Sequence, residues 1–335
     1  MSTLTTTEEL YPLLANAADT LVLFHRNPDA DATGSAYAMK KVLEAFGSRA
    51  FCVCSGELPD RLRFLMHGEQ KSVLPEAIPT DFDVRRIVSV DSASPSQLDR
   101  LYSIYEGQID LMIDHHERGE IYAKHAYVRP DAAATGEILF DLVKALAREG
   151  RMEMTDALCV SLYAAISADT GGFRFSNVTA GTHLRAAELT ASGIDTAEIN
   201  RRLFDSKSME QLRAEAAGVS QLELFADGRV AIIGFPYALK AALGLEDAHL
   251  ETLIDVARSV SGVKLAFCIR QPAPEGRFRV SARSSCDFDV AELCLAFEGG
   301  GHAKAAGCTI YGDDIGEVKE KLIKAIDFSQ LDEKN

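Results

Sequence analysis

No apolar stretch of the 335-residue sequence approaches the roughly 20 residues that a membrane-crossing helix needs. The N-terminus, MSTLTTTEELYPLL, also lacks the basic start and apolar core of a secretory leader. A cytoplasmic protein with no membrane partner is therefore expected. The seven cysteines are odd in number, scattered and without a CxxC pair, which argues against a zinc knuckle and a disulfide framework. Cys52 and Cys54 alternate on an expected strand and read as core residues. Positive charge is scarce: 35 Lys and Arg against 50 Asp and Glu leave a net charge of −15. Proteins that hold long duplex DNA draw affinity from cations that displace counterions, so such a partner is not expected. A short oligonucleotide or a nucleotide, bound through metals and a local cationic pocket, stays open. There is no internal repeat and no low-complexity tract.

What is present is an ordinary globular balance, 47% hydrophobic and 25% charged, in a chain long enough for two domains. TLVLFH (20–25), AFCVC (50–54), RRIVSVD (85–91) and IDLMIDHH (109–116) read as buried strands. Helical periodicity runs over 34–47, 134–149, 154–168 and 180–193. Strands alternating with helices predict an α/β domain with a doubly wound, mostly parallel sheet, whose ligands bind beyond the carboxyl ends of the strands. This domain is expected over 1–193, with a helical linker at 194–220 and a smaller α/β domain at 221–330. In the smaller domain, a hairpin turning at Asp227-Gly228 precedes strands at 263–271, 277–285 and 305–312 and a final helix at 317–326. The DEKN tail, 332–335, reads as frayed.

Four carboxyl-rich segments carry the chemistry. The first, His25-Arg26-Asn27-Pro28-Asp29-Ala30-Asp31-Ala32-Thr33-Gly34-Ser35, follows a strand, and Gly34 and Ser35 are expected to open the next helix. Taken alone it reads equally well as a turn with helix-capping aspartates. The second is Asp91, at the end of RRIVSVD; a lone aspartate there is more often a helix cap. Asp114-His115-His116 ends another apolar strand, and Asp169-Thr170-Gly171-Gly172-Phe173-Arg174-Phe175 follows an expected helix. So many carboxylates on one rim would repel one another unless cations lay among them. Carboxylates with imidazole favour manganese, iron or zinc.

The Asp114-His115-His116 triplet, the N-P-D-x-D-A-x-G-S loop and the A-D-T-G-G-F-R-F-S-N segment resemble the DHH phosphoesterase superfamily. The Gly299–Gly307 run, GGGHAKAAG, resembles the glycine-rich motif of the DHH-associated substrate-binding domain. The set spans residues 25 to 307 and matches best the stand-alone nanoRNases that also dephosphorylate 3′-phosphoadenosine 5′-phosphate (pAp). That resemblance implies two divalent ions, manganese preferred and magnesium the alternative. One would be held by His25, Asp29 and Asp91, the other by Asp31, Asp91, His115 and Asp169, with Asp91 bridging. His116 would face the scissile phosphate, and Asp114 would orient a neighbouring histidine. Arg283, Ser284, a loop formed by Gly299, Gly300 and Gly301, and His302 would hold a terminal phosphate, and Arg174 would contact substrate or form a structural ion pair. The active site would lie in a cleft between the domains.

The implied reaction is in-line attack of a hydroxide held between two metals, cutting short RNA to mononucleotides and pAp to AMP and phosphate. The rivals are a cyclic or linear dinucleotide phosphodiesterase, a RecJ-like exonuclease, a family II pyrophosphatase and, in another class, a non-catalytic nucleotide sensor. A homodimer is allowed, with no patch for it legible. The chain departs from the family pattern at Ala30, where glycine is commoner, and at Gly119, where relatives often carry asparagine.

Overall fold

The computed structural model of the protein describes residues 2–331; the DEKN tail lies outside the described residues. The chain divides into two compact units, Met1–Ser206 and Lys207–Asn335. The 194–220 segment read as a linker is shared between them. Thr196–Asn200 is helical and continues into a π-helical turn, Arg201–Asp205, in the first unit, whereas helix Met209–Ser220 belongs to the second.

The first unit is built on six strands: β1 (Ser2–Thr3), β2 (Thr20–Leu23), β3 (Ala50–Val53), β4 (Arg86–Val90), β5 (Leu111–Asp114) and β6 (His125–Val128). Their order is β1-β6-β5-β4-β2-β3, and every neighbouring pair is parallel. Parallel strands must return through crossovers, so both faces of the sheet are covered. Alternation assigns the side chains to two cores. Val22, Val88 and Ile113 pack under helices Ala30–Ala45, Thr135–Arg148 and Asp156–Asp169, while Leu21, Leu23, Ile87 and Met112 pack on the other face. Strand order reverses at β2, which lies between β3 and β4, so the loops leaving β2 and β4 diverge there.

Two helix boundaries differ from expectation. The helix expected from residue 34 begins at Ala30, because the Asp29 carboxylate accepts the Ala32 amide at 2.9 Å and caps it four residues earlier. Asp169 does not follow a helix but is the last residue of one, Asp156–Asp169. Strands β1 and β6 went unread, being two and four residues long. Six of the seven cysteines are buried and all are free. Cys52 and Cys54 turn their thiols to the Ala36 and His25 carbonyls.

The second unit carries a mixed sheet in the order β11-β12-β10-β9-β8-β7. Its strands are β7 (Leu222–Phe225), β8 (Val230–Phe235), β9 (Leu265–Arg270), β10 (Arg277–Ser284), β11 (Gly300–His302) and β12 (Ala305–Tyr311). The β7–β8 hairpin turns through Ala226, Asp227 and Gly228, all at positive φ, as the Asp-Gly signal predicts. The glycine run expected as a loop is instead mostly strand: β11 pairs antiparallel with β12. Glycine permits this approach, since a Cβ on Gly301 would stand 2.5 Å from the Ala305 carbonyl oxygen, and its φ of 140° disfavours any side chain. Among the described residues, no helix is long and apolar enough to cross a membrane.

Candidate metal centre

The carboxyl ends of β2, β4 and β5 bring three of the four motif segments together, and the end of helix Asp156–Asp169 adds the fourth. Asp91 follows β4 directly, with φ at 51°, a left-handed conformation that costs a non-glycine residue energy and recurs at functional sites. Its amide donates to the Ile113 carbonyl at 3.0 Å, which fixes the turn against β5. Asp91 is therefore not a helix cap; the next helix, Pro95–Leu98, starts after Ser94.

The two oxygens of Asp91 face different histidines. Oδ2 is 3.6 Å from His25 Nε2, and Oδ1 is 3.7 Å from His115 Nε2. His25 Nε2 is also 3.7 Å from Asp29 Oδ2. His115 Nε2 stands 3.9 Å from Asp31 Oδ2 and 3.1 Å from Asp169 Oδ2. Most of these separations exceed hydrogen-bond length, yet within each set, His25-Asp29-Asp91 and Asp31-Asp91-His115, the ligand atoms lie within 4.8 Å of one another. Ligands on a first-row divalent ion sit about 2.0–2.2 Å from it, so two of them are at most about 4.4 Å apart. Small inward movements would close each set around one ion, and Asp91 belongs to both.

The electrostatics agree with that fit. Burial, together with the charges of Asp91 and Asp169, holds the Asp31 carboxyl well above its usual range. Asp169 is also raised, by burial first; it sits at a helix C-terminus, where a negative charge is disfavoured. Burial pulls His25 and His115 down, but their carboxylate neighbours outweigh it and hold both imidazoles well above the ordinary value. Burial raises Asp29, but His25 and the Ala32 amide overcome this and bring it to about 2. Such a cluster demands positive charge at neutral pH, from protons or from cations.

Buried donors hold the ligands in place. Asp31, fully buried on the first turn of helix Ala30–Ala45, accepts from Ser35 Oγ at 3.0 Å, the Thr135 amide at 2.7 Å and the Gly136 amide at 2.8 Å. Thr135 Oγ1 also donates to Asp91 Oδ1 at 3.0 Å. His115 Nδ1 lies 3.3 Å from the Ala132 carbonyl, which fixes the tautomer that presents Nε2 to the carboxylates. Asp114 Oδ1 accepts from His116 Nδ1 at 2.7 Å and from the His115 amide at 2.8 Å. Burial lowers His116, yet Asp114 and Asp91 hold it above its ordinary value, so it is disposed to carry a proton.

Thr135, Gly136 and Asn177 were missed as functional residues. Asn177 Nδ2 donates to the Ala133 and Asp169 carbonyls, both at 3.0 Å. The available signal was the T-G pair opening the 134–149 periodicity, since a helix N-terminus holds anions. Arg174 is exposed; its Nε donates to the Gly171 carbonyl and its guanidinium lies 5.8 Å from the Phe204 ring centre. Gly119 rests against the loop after Asp91: an added Cβ would meet the Ala93 carbonyl oxygen at 2.7 Å, leaving no room for the asparagine of the family pattern. In the second unit, Arg283 on β10 and His302 on β11 both pair with Ala305 of β12, so they flank one position. Ser284 Oγ is engaged in its own turn, donating to the Cys286 carbonyl at 2.9 Å.

Residues 19–166 match the DHH family, N-terminal domain, and residues 234–327 match the DHHA1 domain. The bifunctional oligoribonuclease and PAP phosphatase NrnA of Thermus thermophilus is 30% identical over 303 residues, covering 90% of this chain and 87% of that protein. The cyclic-di-AMP phosphodiesterase GdpP of Geobacillus thermodenitrificans is 26% identical over 334 residues, 95% of this chain but 48% of its own length. Among solved structures, an exopolyphosphatase-related protein from Bacteroides fragilis superposes with a TM-score of 0.85 at 21% identity, over 97% of this chain and 96% of that one. This last similarity speaks for the fold.

Proposed function

The chain belongs to the DHH family of metal-dependent phosphoesterases, and on that premise we propose that it hydrolyses short oligoribonucleotides to mononucleotides and pAp to AMP and phosphate. The observation that carries this reading is the division of Asp91 between the His25-Asp29 and the Asp31-His115 sets. Its support is the similarity to the Thermus thermophilus protein along nearly the whole of both chains.

His25, Asp29 and Asp91 would hold one divalent ion, and Asp31, Asp91, His115 and Asp169 the other, manganese being preferred and magnesium the alternative. Such ions supply Lewis acidity at the phosphate and make a water nucleophilic near neutral pH. The protein's own groups do the rest. His116, with Nδ1 committed to Asp114, presents Nε2 to the phosphate or leaving oxygen as a proton donor. Thr135 and Gly136 keep Asp31 and Asp91 aimed inward at no reorganisation cost. Arg283, His302 and the Gly299–Gly301 backbone would bind the terminal phosphate, with Ser284, held in its turn, the weaker contact, while Arg174, engaged with its own segment, would contact substrate or serve the structure. The partners are short RNA and nucleotides in the cytoplasm, without long duplexes or membranes, and a second copy of the chain is compatible with this reading.

A manganese-dependent assay comparing pAp, a diribonucleotide, pApA, cyclic di-AMP, a 24-mer RNA and pyrophosphate tests it. Preference for pAp and the shortest RNAs, abolished by chelator, is the expected result. Faster turnover of cyclic di-AMP would favour the second reading, a dinucleotide phosphodiesterase, which the similarity to GdpP brings in. No turnover with metal bound would indicate a sensor.

A further inference from the structure

The loops that supply His25 and Asp91 leave the first sheet toward opposite faces. The chain after His25 enters helix Ala30–Ala45, packed over Val22. The chain after Asp91 enters the short helices Pro95–Leu98 and Arg100–Tyr105, whose Leu98 and Leu101 lie in the core of the other face. The paired register of β2 and β4 ends at Leu23 and Ser89, so the sheet ladder does not reach far enough to hold the two loops together. Gln97 does. Its side-chain Oε1 accepts the Ala93 amide at 2.6 Å, two residues beyond Asp91, and its main-chain carbonyl accepts the Arg26 amide at 2.8 Å, next to His25. The other half of that His25–Arg26 peptide, the His25 carbonyl, accepts the Cys54 thiol at 3.1 Å. On the far side of the Asp91 turn, the Ser92 carbonyl accepts the Tyr122 hydroxyl at 2.7 Å and the Ala93 carbonyl accepts the Glu120 amide at 2.8 Å. A glutamine three residues after a serine ordinarily caps its own helix reciprocally with that serine. Here Ser94 makes no side-chain cap, and Gln97 reaches past it to Ala93.

We propose that Gln97 is a positioning residue for the His25-Asp29-Asp91 set, an inference that rests on the two-metal reading above. It acts through the main chain, setting the separation of two loops that would otherwise move independently. His25 Nε2 and Asp91 Oδ2 stand 3.6 Å apart. Ligands on one ion are at most about 4.4 Å apart, so an ion tolerates little drift between these loops. Asp91 also holds its left-handed φ of 51°, a conformation that persists only where the surroundings over-determine it. Ile113, Tyr122 and Glu120 restrain that turn on the β5 side, and Gln97 restrains it on the His25 side. The two metal sets then have separate scaffolds. Thr135 and Gly136 place Asp31 and Asp91 Oδ1 for one; Gln97 places His25 and Asp91 Oδ2 for the other. Losing the Gln97 side chain should therefore loosen one ion and spare its neighbour, whereas a residue that merely supported the fold would affect both or neither.

Calorimetric titration of the full chain with manganese tests this, for wild type, Gln97→Ala, Gln97→Met and Gln97→Glu, with Gln97→Ala repeated in a His25→Ala background. Wild type should take up two ions. Gln97→Ala, and Gln97→Met, which keeps the side chain's length without its oxygen, should each weaken one binding step by about tenfold and the other by less than about threefold. The spared step certifies the fold. Gln97→Glu, whose carboxylate can accept the Ala93 amide, should bring the weakened step back to within about threefold of wild type. With His25 already removed, Gln97→Ala should change the remaining affinity by less than about twofold, the non-additivity of residues that act on one site. Unchanged affinity at both steps for Gln97→Ala, or the same loss with and without His25, overturns the role of Gln97 and leaves the two ions in place. Wild type that takes up fewer than two ions overturns the two-metal reading, and the inference with it.

Discussion

Thr135 holds Asp91 by a side-chain hydrogen bond, Oγ1 to Oδ1 at 3.0 Å, while its own amide holds Asp31 at 2.7 Å. One residue at the start of a helix thus aligns a carboxylate from each of the two metal sets. Its hydroxyl can be removed without touching a proposed ligand.

Thr135→Val should lower divalent-metal affinity by about 10- to 100-fold, the usual consequence of losing such a supporting contact, and Thr135→Ser should restore it. Calorimetric titration with manganese measures this independently of turnover. Equal affinities for wild type and the valine variant would show that Asp91 needs no anchor.

Asp91→Ala should abolish turnover and reduce the stoichiometry of tightly held metal. In chelator its thermal midpoint should equal or exceed that of wild type, because a carboxylate has left a crowded, mutually repelling group. Substantial residual activity would refute the bridging assignment.

Much of this centre was legible because its ligands sit where hydrophobic runs end. Asp91, Asp114 and His115 each close a strand whose apolar pattern is unambiguous, and the Asp29-Ala-Asp31 spacing follows another. The capping reading of Asp29 holds, since one oxygen accepts the Ala32 amide, and it leaves room for the proposed metal role, since the other oxygen faces His25. Thr135 and Gly136 stayed hidden because their contribution comes largely through backbone amides, which carry no residue-specific signature. The β11 strand was misread because glycine runs usually signal turns; here the missing Cβ atoms serve close pairing.

Gly119→Asn should destabilise the protein by about 1–3 kcal/mol, because the new Cβ would press on the Ala93 carbonyl. Denaturant unfolding of the metal-free protein measures it. A neutral result would mean that the loop after Asp91 can yield.

Away from the centre, Glu69 accepts from Lys40 at 2.7 Å and Tyr37 at 2.8 Å. Burial raises its carboxyl, but Lys40, Lys41 and Tyr37 prevail and bring it to about 2, from an ordinary value of 4.5. A depressed carboxylate stabilises the fold fully above its unfolded value and loses that contribution as pH falls through the folded one. Glu69→Gln should therefore cost about 1 kcal/mol at pH 7, the group being partly exposed, and the difference from wild type should vanish between pH 4.5 and about 2. A difference that persists unchanged at the acid end would show that the charge is not its source.

The wholly parallel first sheet also governs the order of assembly. Its strands meet only across long loops, β1 with β6 through Ser2 and His125 and β2 with β4 through Thr20 and Arg86. The second sheet has hairpins that can close locally, β7 with β8 and β11 with β12. Loop closure between distant residues must precede any reward from their contacts, so sheets of the first kind form slowly. Dilution from denaturant should thus give a fast phase from the second unit and a slow one from the first. The capacity to take up manganese should appear only with the slow phase, making the metal itself a clock for the last step of folding.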